Sequence, residues 1–422
     1  MKKVSHNADH LKLHRPVAGF VIIGLAALLT GQCERSRFIH ALEMANLDAW
    51  VVSQNSEISR QIALIDIDDS EYQNKSTFEG HSPLKPDEVK KLIALIARGG
   101  AGVIVVDIDT TDWREQDLPS GWLRSAAPDR ALPIVIWART THPLDGGPLL
   151  LSNVAGRDDT MIPTDDQTLC WGIPKVLESG GLLRAYPRYI TLGTTSVPSL
   201  AAAAAAAFHD PRPHYEKTGS INCNILSRNF EDGPSAAVLR TGNRRFARYH
   251  PAELREFMAS PAVDKVTPLS GKVVVLGGSF PAARDSYWTA VGPRDGIEIL
   301  ATAIDSELHK PMPLEASVVL FYVIDVLVGL LILLISRLLP KSWSLLFVVL
   351  AVPAAAFAGS LLAFWSGYFA SFMPVLAGVF FHKLFDDWWE ARKSGKKLEE
   401  YSEETLSERT TLTTTRVTEG RA

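Results

Sequence analysis

Cysteine is scarce in this chain of 422 residues, which contains only Cys33, Cys170 and Cys223. Three cysteines are too few for a disulfide framework, and their spacing matches no zinc-binding pattern. We expect two buried thiols at Cys170 and Cys223, and a Cys170–Cys223 disulfide is the alternative if this part of the chain lies in an oxidising compartment. The scarcity of cysteine therefore excludes a disulfide-rich fold and a cysteine-based metal site.

An excess of charge of one sign is also missing. The chain has 43 Lys and Arg residues and 47 Asp and Glu residues, which give a formal net charge of −4 at pH 7. Proteins that bind nucleic acids usually carry a basic patch. Here only Arg244, Arg245 and Arg248 cluster, and a solvated loop explains them. We therefore expect no nucleic-acid partner.

The sequence lacks the short motifs of common nucleotide-binding and hydrolytic enzymes. It contains neither a P-loop nor a G-x-G-x-x-G string, and Gly277-Gly278-Ser279 does not match the G-x-S-x-G nucleophile elbow. The histidines show no zinc-binding spacing. We therefore expect that the protein is not an enzyme and that it has no catalytic residue, metal or cofactor.

Long apolar runs, in contrast, occupy both ends of the chain. Three runs, at 318–339, 343–365 and 368–385, have about the length that crosses a hydrocarbon core of roughly 30 Å. A shorter run at 17–29 follows several basic residues and lacks a small-residue cleavage site, which favours an uncleaved anchor over a signal peptide. The sequence thus predicts an all-α membrane bundle of four helices that encloses a long globular segment.

The Lys and Arg residues beside these runs predict their orientation in the lipid bilayer. Lys2, Lys3, Lys12 and Arg15 precede the first run, so the N-terminus should stay in the cytoplasm. We predict a multi-pass protein of the bacterial inner membrane whose central domain is periplasmic or extracellular. Its parts are a cytoplasmic N-terminus (1–15), an anchor helix (16–33), the extracytoplasmic domain (34–314), three transmembrane helices (315–385) and a cytoplasmic polar tail (386–422).

The central segment has the pattern of alternating strands and helices. Its buried-strand candidates are the apolar runs at 61–65, 103–106, 133–137 and 272–276. Apolar residues recur at helical spacing from Val89 to Ile96, and 296–308 forms a second amphipathic pattern. Continuously apolar strands separated by helices are typical of an α/β fold, in which helices flank a mainly parallel sheet.

Polar clusters follow three of the predicted strands, at the edge where parallel sheets usually bind ligands. The D-x-D strings Asp66/Asp68 and Asp107/Asp109 fit strand and helix capping, a divalent cation or a metal-dependent transferase. Arg284 with Asp285 fits either a ligand contact or a structural ion pair. The candidate ligand-binding residues are Asp68, Asp69, Asp109, Ser279, Arg284 and Asp285.

Several of these segments resemble the type-two CHASE family of extracytoplasmic sensory domains, which are attached to bacterial cyclases, histidine kinases and protein kinases. The resemblance covers roughly residues 34–310. It rests on LDAW with Asp48, IALIDIDDSEY, GGAGVIVVDI, GLLRAYP, VPSLAAAAA, GKVVVLGGSFPAARDSY and VGPRDGIEILATAID. In that family one helix precedes the domain and three commonly follow it. The segments GHSPLKPDEV and 110–132 depart from the family pattern.

The resemblance implies an integral membrane protein that senses an unknown extracytoplasmic ligand. The tail 386–422 is too short for a kinase or cyclase domain, so we expect signalling to a separate cytoplasmic output protein. A homodimer is the arrangement common to such sensors. The alternative is a non-sensing structural subunit of an envelope complex.

Overall fold

The computed structural model describes residues 37–54, 57–118, 122–126, 132–143, 149–151, 170–192, 195–209, 235–242, 245–259, 267–283, 285–309, 311–313 and 352–365, with six isolated positions at 330, 334, 338, 350, 367 and 392. The chain divides into two compact units. One comprises Met1–Met44, Ala316–Ala363 and Ala370–Ala422, and the other comprises Ala45–Glu315 with Phe364–Phe369.

The second unit is built on a six-stranded parallel sheet. In spatial order the strands are β12 (Arg245–Tyr249), β1 (Ile58–Ile67), β13 (Val273–Gly278), β2 (Val103–Asp107), β3 (Ile134–Ala138) and β6 (Cys170–Gly172). Every pairing between neighbours is parallel. The apolar residues of the central strands are fully buried because helices cover both faces of the sheet. The predicted α/β class with a mainly parallel sheet is thereby confirmed.

Helices α2 (Asp69–Tyr72), α3 (Pro86–Arg98), α4 (Trp122–Ala126) and α6 (Pro251–Ala259) contribute apolar side chains to the core on one face of this sheet. Helices α5 (Leu200–His209) and α7 (Gly296–Leu308) pack on the opposite face. Helix α3 begins with Pro86 and two acidic residues and ends at Arg98, which complements its macrodipole. Side chains alternate between the two cores along β1, since Ile65 joins the first and Leu64 the second.

A smaller, five-stranded sheet accompanies the main one. Its strands are β7 (Leu177–Ser179), β8 (Leu182–Pro187), β11 (Ala236–Val238), β14 (Ser286–Thr289) and β15 (Gly292–Asp295). Leu183, Tyr186 and Ala237 from this sheet enter the same core as α5 and α7. Two antiparallel pairs, β4 (Thr141–Pro143) with β5 (Leu149–Leu151) and β9 (Tyr189–Leu192) with β10 (Thr195–Pro198), and 3₁₀ turns at Glu115–Asp117 and Pro281–Ala283 complete the described elements of this unit.

Helix α1 (Arg37–Ser53) precedes the sheet in sequence and is joined to it by an ion pair. The Arg184 guanidinium on β8 donates to both carboxylate oxygens of Asp48, with N–O distances of 2.8 and 2.7 Å. Both side chains are mostly buried, so this two-pronged geometry is stronger than an exposed pair. The two residues lie in separate segments of the family resemblance, LDAW and GLLRAYP.

The predicted membrane segments fall largely outside the described residues. Helix α8 (Val352–Trp365) lies within the predicted run 343–365 and is helical, as expected. Among the helices that the structure describes, none is both long and apolar enough to span a membrane. The bundle of four transmembrane helices therefore stays a prediction.

Cys170, buried at the start of β6, is disulfide-bonded. Its partner lies outside the described residues, as do Cys33 and Cys223. Of the two alternatives for the cysteines, a free buried thiol at Cys170 is therefore wrong and a disulfide at this position is right. Such bonds persist in oxidising compartments.

Gly172 provides a test of the packing between β6 and α5. A Cβ atom at this position would lie 2.6 Å from the Leu200 Cα atom and 2.8 Å from its backbone nitrogen, and backbone cannot move aside cheaply. We expect Gly172→Ala to lower the free energy of unfolding by about 1–3 kcal/mol, as overpacking does. Thermal melting followed by tryptophan fluorescence measures this change.

The control for this test is Gly102→Ala, where the nearest atoms to an added Cβ lie 3.6 Å away. This substitution should change the unfolding free energy by no more than about 0.5 kcal/mol. Equal melting temperatures for the two variants would contradict the close approach of α5 to β6.

Candidate functional site

A cavity of about 460 Å³ lies at the carboxyl edge of the central sheet. The segments that follow β2, β13 and β6 line it on the loop side. Strands β8 and β14 and the first three turns of α7 form the rest of the described wall. This is the edge at which parallel α/β sheets typically bind ligands, and the volume is in the usual range for small-molecule sites. The cavity is therefore the candidate functional site.

Asp107 is a partly buried acid in the wall of this cavity. It is the last residue of β2 and continues the alternation of Val103 and Val105, whose side chains belong to the core beneath α5 and α7. Burial raises the pKa of Asp107 to about 7, and the nearby Asp285 carboxylate adds to the increase. At neutral pH this carboxyl group is therefore present in both protonated and ionised forms.

Asp285 lies beside the first residue of α7. Its carboxyl group fills the space that a side chain at Gly296 would occupy, so any larger residue at position 296 would overlap it. The backbone N–H of Gly296 donates to the carbonyl oxygen of Asp285 over 2.7 Å. Burial raises the pKa of Asp285, a hydrogen bond from the Tyr287 hydroxyl opposes this change, and the Asp295 carboxylate adds to it.

Tyr287 completes a polar group of three residues on this side of the cavity. Its ring lies on β14, two residues after Asp285, and lines the cavity. Burial raises the pKa of Tyr287, and the carboxylates of Asp285 and Asp107 add to the increase. The phenol therefore stays protonated at neutral pH and acts as a hydrogen-bond donor.

A second polar network lies next to the cavity, at the end of β1. The Ser279 hydroxyl donates to the Asp66 carboxylate over 2.9 Å, and the Arg248 guanidinium lies 3.4 Å from the same oxygen. Arg248 also pairs with Glu298 of α7 at 2.8 Å. Burial raises the pKa of Asp66, while Ser279 and Arg248 oppose this change. These contacts join β12, β1 and α7, which is a structural role.

The remaining acidic candidates have local partners. The Asp68 carboxylate caps α2 by accepting from the Glu71 backbone N–H over 2.9 Å, and it lies 3.4 Å from a ring nitrogen of His250. Asp69 is exposed on the same helix. The Asp109 carboxylate accepts from the N–H and hydroxyl of Thr111. In the described ranges no group of three or more potential metal ligands occurs.

The structure thus divides the candidate residues into three sets. Asp109 and Asp285 both line the cavity. Ser279 belongs to the neighbouring Asp66 network, and Asp68 and Asp69 lie at α2. Arg284 lies outside the described residues. A ligand role for these residues stays a prediction, because position alone does not test it.

The sequence points to Asp107 only as part of the D-x-D string Asp107/Asp109, and neither Asp107 nor Tyr287 is among the predicted ligand-binding residues. Side chains alternate between the two faces of a strand, so Asp107 lies on the same face of β2 as Val103 and Val105. This alternation could have indicated that Asp107 points towards the core. Tyr287 has no comparable signal, because the turn that brings β14 to the cavity is not apparent from composition.

Comparison with known proteins gives one result. The family model of the CHASE2 domain matches residues 18–336. No curated protein and no solved structure gives a significant match.

The raised pKa of Asp107 predicts a dependence of stability on pH. An unfolded Asp ionises near pH 4 and Asp107 in the fold near pH 7, so between these values the native state holds the extra proton. The contribution of Asp107 to the free energy of unfolding therefore falls as the pH rises from about 4 to about 7. We expect the melting temperature of Asp107→Asn, relative to the parent chain, to rise by about 5–10 °C between pH 5 and pH 8.

The matched control is Glu256→Gln, which removes one acid from the exposed surface of α6. Its melting temperature should follow that of the parent chain at every pH. If Asp107→Asn also follows the parent chain at every pH, Asp107 is not a desolvated acid.

Proposed function

The chain belongs to the CHASE2 domain family, and from this premise we propose that it is a membrane sensor whose cavity receives an extracytoplasmic small molecule. The observation that carries the proposal is the desolvated pair Asp107 and Asp285 in a cavity at the carboxyl edge of the sheet. Structural ion pairs normally bring a partner for each buried charge. A binding role explains why two acids are held together here.

We propose that the domain is exported and anchored in a bacterial inner membrane at both ends. The apolar runs and their basic flanks support this orientation, with residues 34–314 outside the cytoplasm and 1–15 and 386–422 inside. The disulfide at Cys170 supports it independently, since disulfides are rare in the reducing cytoplasm. The proposal includes no catalytic step.

A ligand in the cavity contacts elements that lead towards both proposed membrane anchors. Ile299, Leu300 and Ala303 of α7 line the cavity, and α7 ends shortly before residue 315. Near that end, the Glu307 carboxylate accepts from the Tyr186 hydroxyl and the Arg188 guanidinium over 3.0 and 2.8 Å.

Strand β8 makes the second connection between the cavity and a helix that leads to a proposed anchor. Tyr186 lines the cavity, and Arg184, two residues earlier on the same strand, holds Asp48 of α1. Because Tyr186 also bonds to Glu307, one strand contacts both α1 and α7. We propose that ligand binding shifts these two helices together and that the tail passes the change to a separate cytoplasmic protein.

The topology is tested by reporter fusions in bacterial cells. Alkaline phosphatase, which is active only after export, is joined after residue 314, and a fluorescent protein that matures in the cytoplasm is joined after Ala422. We expect activity from the first and fluorescence from the second, because the basic flanks orient the helices. An inactive first fusion together with a dark second fusion, both at normal expression, would contradict the proposed orientation.

Signalling in trans is tested by co-purification from detergent extracts. A cytoplasmic protein should accompany the full chain and should be lost when a Gly/Ser segment of equal length replaces residues 386–422. Its captured amount should also change at least about twofold in Gly296→Ala, because the added methyl displaces Asp285. Melting temperatures verify that the variants are folded.

A purely structural subunit predicts a different result. In that case envelope proteins alone would bind, and they would bind Gly296→Ala as well as the parent chain. This outcome would replace the sensor hypothesis with that of a non-sensing subunit of an envelope complex.

A further inference from the structure

We propose that the cavity binds a small organic cation, a primary amine whose ammonium group lies between the carboxyl groups of Asp107 and Asp285. This inference rests on the proposed function and gives the chemical class of its ligand. It follows from a partly buried acid without a partner among the described residues, from the balance of charges in the cavity and from the apolar side chains in its wall.

The first observation is that Asp107 has no partner in the part of the chain that the structure describes. No hydrogen bond or ion pair to its carboxyl group occurs there, although the partly buried side chain lines the cavity and burial raises its pKa. A buried acid without a partner is costly, whereas an acid that meets a bound cation is stabilised. The carboxyl group therefore points to a ligand that brings a positive charge or a hydrogen-bond donor.

The second observation is the charge balance of the cavity wall. Asp107, Asp109 and Asp285 line it, and the basic side chain that faces them from the described residues is Lys175, which is exposed. No ion pair joins Lys175 to any of these acids within the described ranges. Because like charges repel in a desolvated site, this wall disfavours an anionic ligand and favours a cationic one.

The neighbouring Tyr287 hydroxyl fits the same interpretation. It donates to Asp285 and keeps an oxygen lone pair that can accept from a ligand N–H group. An ammonium carries three donors, so two carboxyl groups and one hydroxyl would satisfy it.

The third observation separates an organic amine from a metal ion. The described residues contain no cluster of three or more metal-ligating side chains, and the Asp109 carboxylate is already bonded to Thr111. The wall of the cavity also carries apolar side chains, among them Ile299, Leu300 and Phe280. A cavity of about 460 Å³ with this wall accommodates an amine that carries a short hydrocarbon portion.

A proton competes with the amine for the acidic pair. Among the described residues, the titratable groups that line the cavity with Asp107 are Asp285, Tyr287, Asp109, Tyr186 and Lys175, and Asp295 lies close to Asp285. Burial places the pKa of Asp107 at about 7, so the carboxyl group is mostly ionised at pH 8 and mostly protonated at pH 5.5. Amine affinity should therefore be higher at pH 8, and binding near pH 7 should release protons.

The test uses the full-length chain purified in detergent and isothermal titration with n-butylammonium and 1,4-diaminobutane. We expect saturable binding of at least one amine, an affinity about tenfold lower at pH 5.5 than at pH 8, and a loss of tenfold or more in Asp107→Asn and in Asp285→Asn. Glu256→Gln, which removes an exposed acid of α6, should bind within twofold of the parent chain. Butyrate and Mg²⁺ at equal ionic strength should not bind in the cavity.

Three outcomes would overturn the amine proposal: butyrate binds in place of butylammonium, Mg²⁺ binds and is lost in the two Asn variants, or the amines bind those variants as tightly as the parent chain. If one of the two Asn variants fails to fold, as judged by its melting transition, the other variant and the pH dependence of amine binding still test the proposal.

The design also distinguishes failure of the amine proposal from failure of the proposed function. If a neutral or anionic small molecule binds and is lost in Gly296→Ala, sensing through the cavity stands and only the ligand class is wrong. If no charged or neutral probe binds and the Gly296→Ala variant captures cytoplasmic protein normally, both proposals fail.

Discussion

The parallel pairing of the central strands is the constraint on which this domain depends. Strands β1, β13 and β2 run side by side in register, with Ile62 beside Val273 and Val273 beside Val103. The chain must therefore leave all three at the same edge, and the polar residues that follow them must gather there. Helices cover both faces, so that edge is the place where a polar ligand can meet buried side chains.

Much of this architecture could be predicted from the sequence, because it follows from local patterns. The strand runs and the helices from Pro86 and Gly296 are visible as apolar periodicities, and parallel pairing follows from strands too apolar to face water. The edge that holds Asp109 and Asp285 could be inferred in the same way. Residues at the ends of strands are thus within reach of sequence reasoning, since chain direction alone determines their edge.

The rest depends on contacts between segments that are far apart in the sequence. Asp66, Asp68 and Asp107 look alike as acids after strands, yet they pair with an arginine, cap a helix and line a cavity, respectively. Which role each takes is decided by Arg248, by the start of α2 and by the segments that line the cavity together with Asp107. No periodic pattern in the sequence predicts these long-range contacts. The same holds for the ion pair of Asp48 and Arg184, which are 136 positions apart.

The placement of the Asp285 carboxyl group in the volume next to Gly296 has an evolutionary consequence. Neither position can change freely while the other is kept, since a side chain at 296 and the acid at 285 compete for one space. Related chains that lack an acid at position 285 do not need glycine at position 296. The two positions should therefore covary among related chains, because one volume cannot hold both side chains.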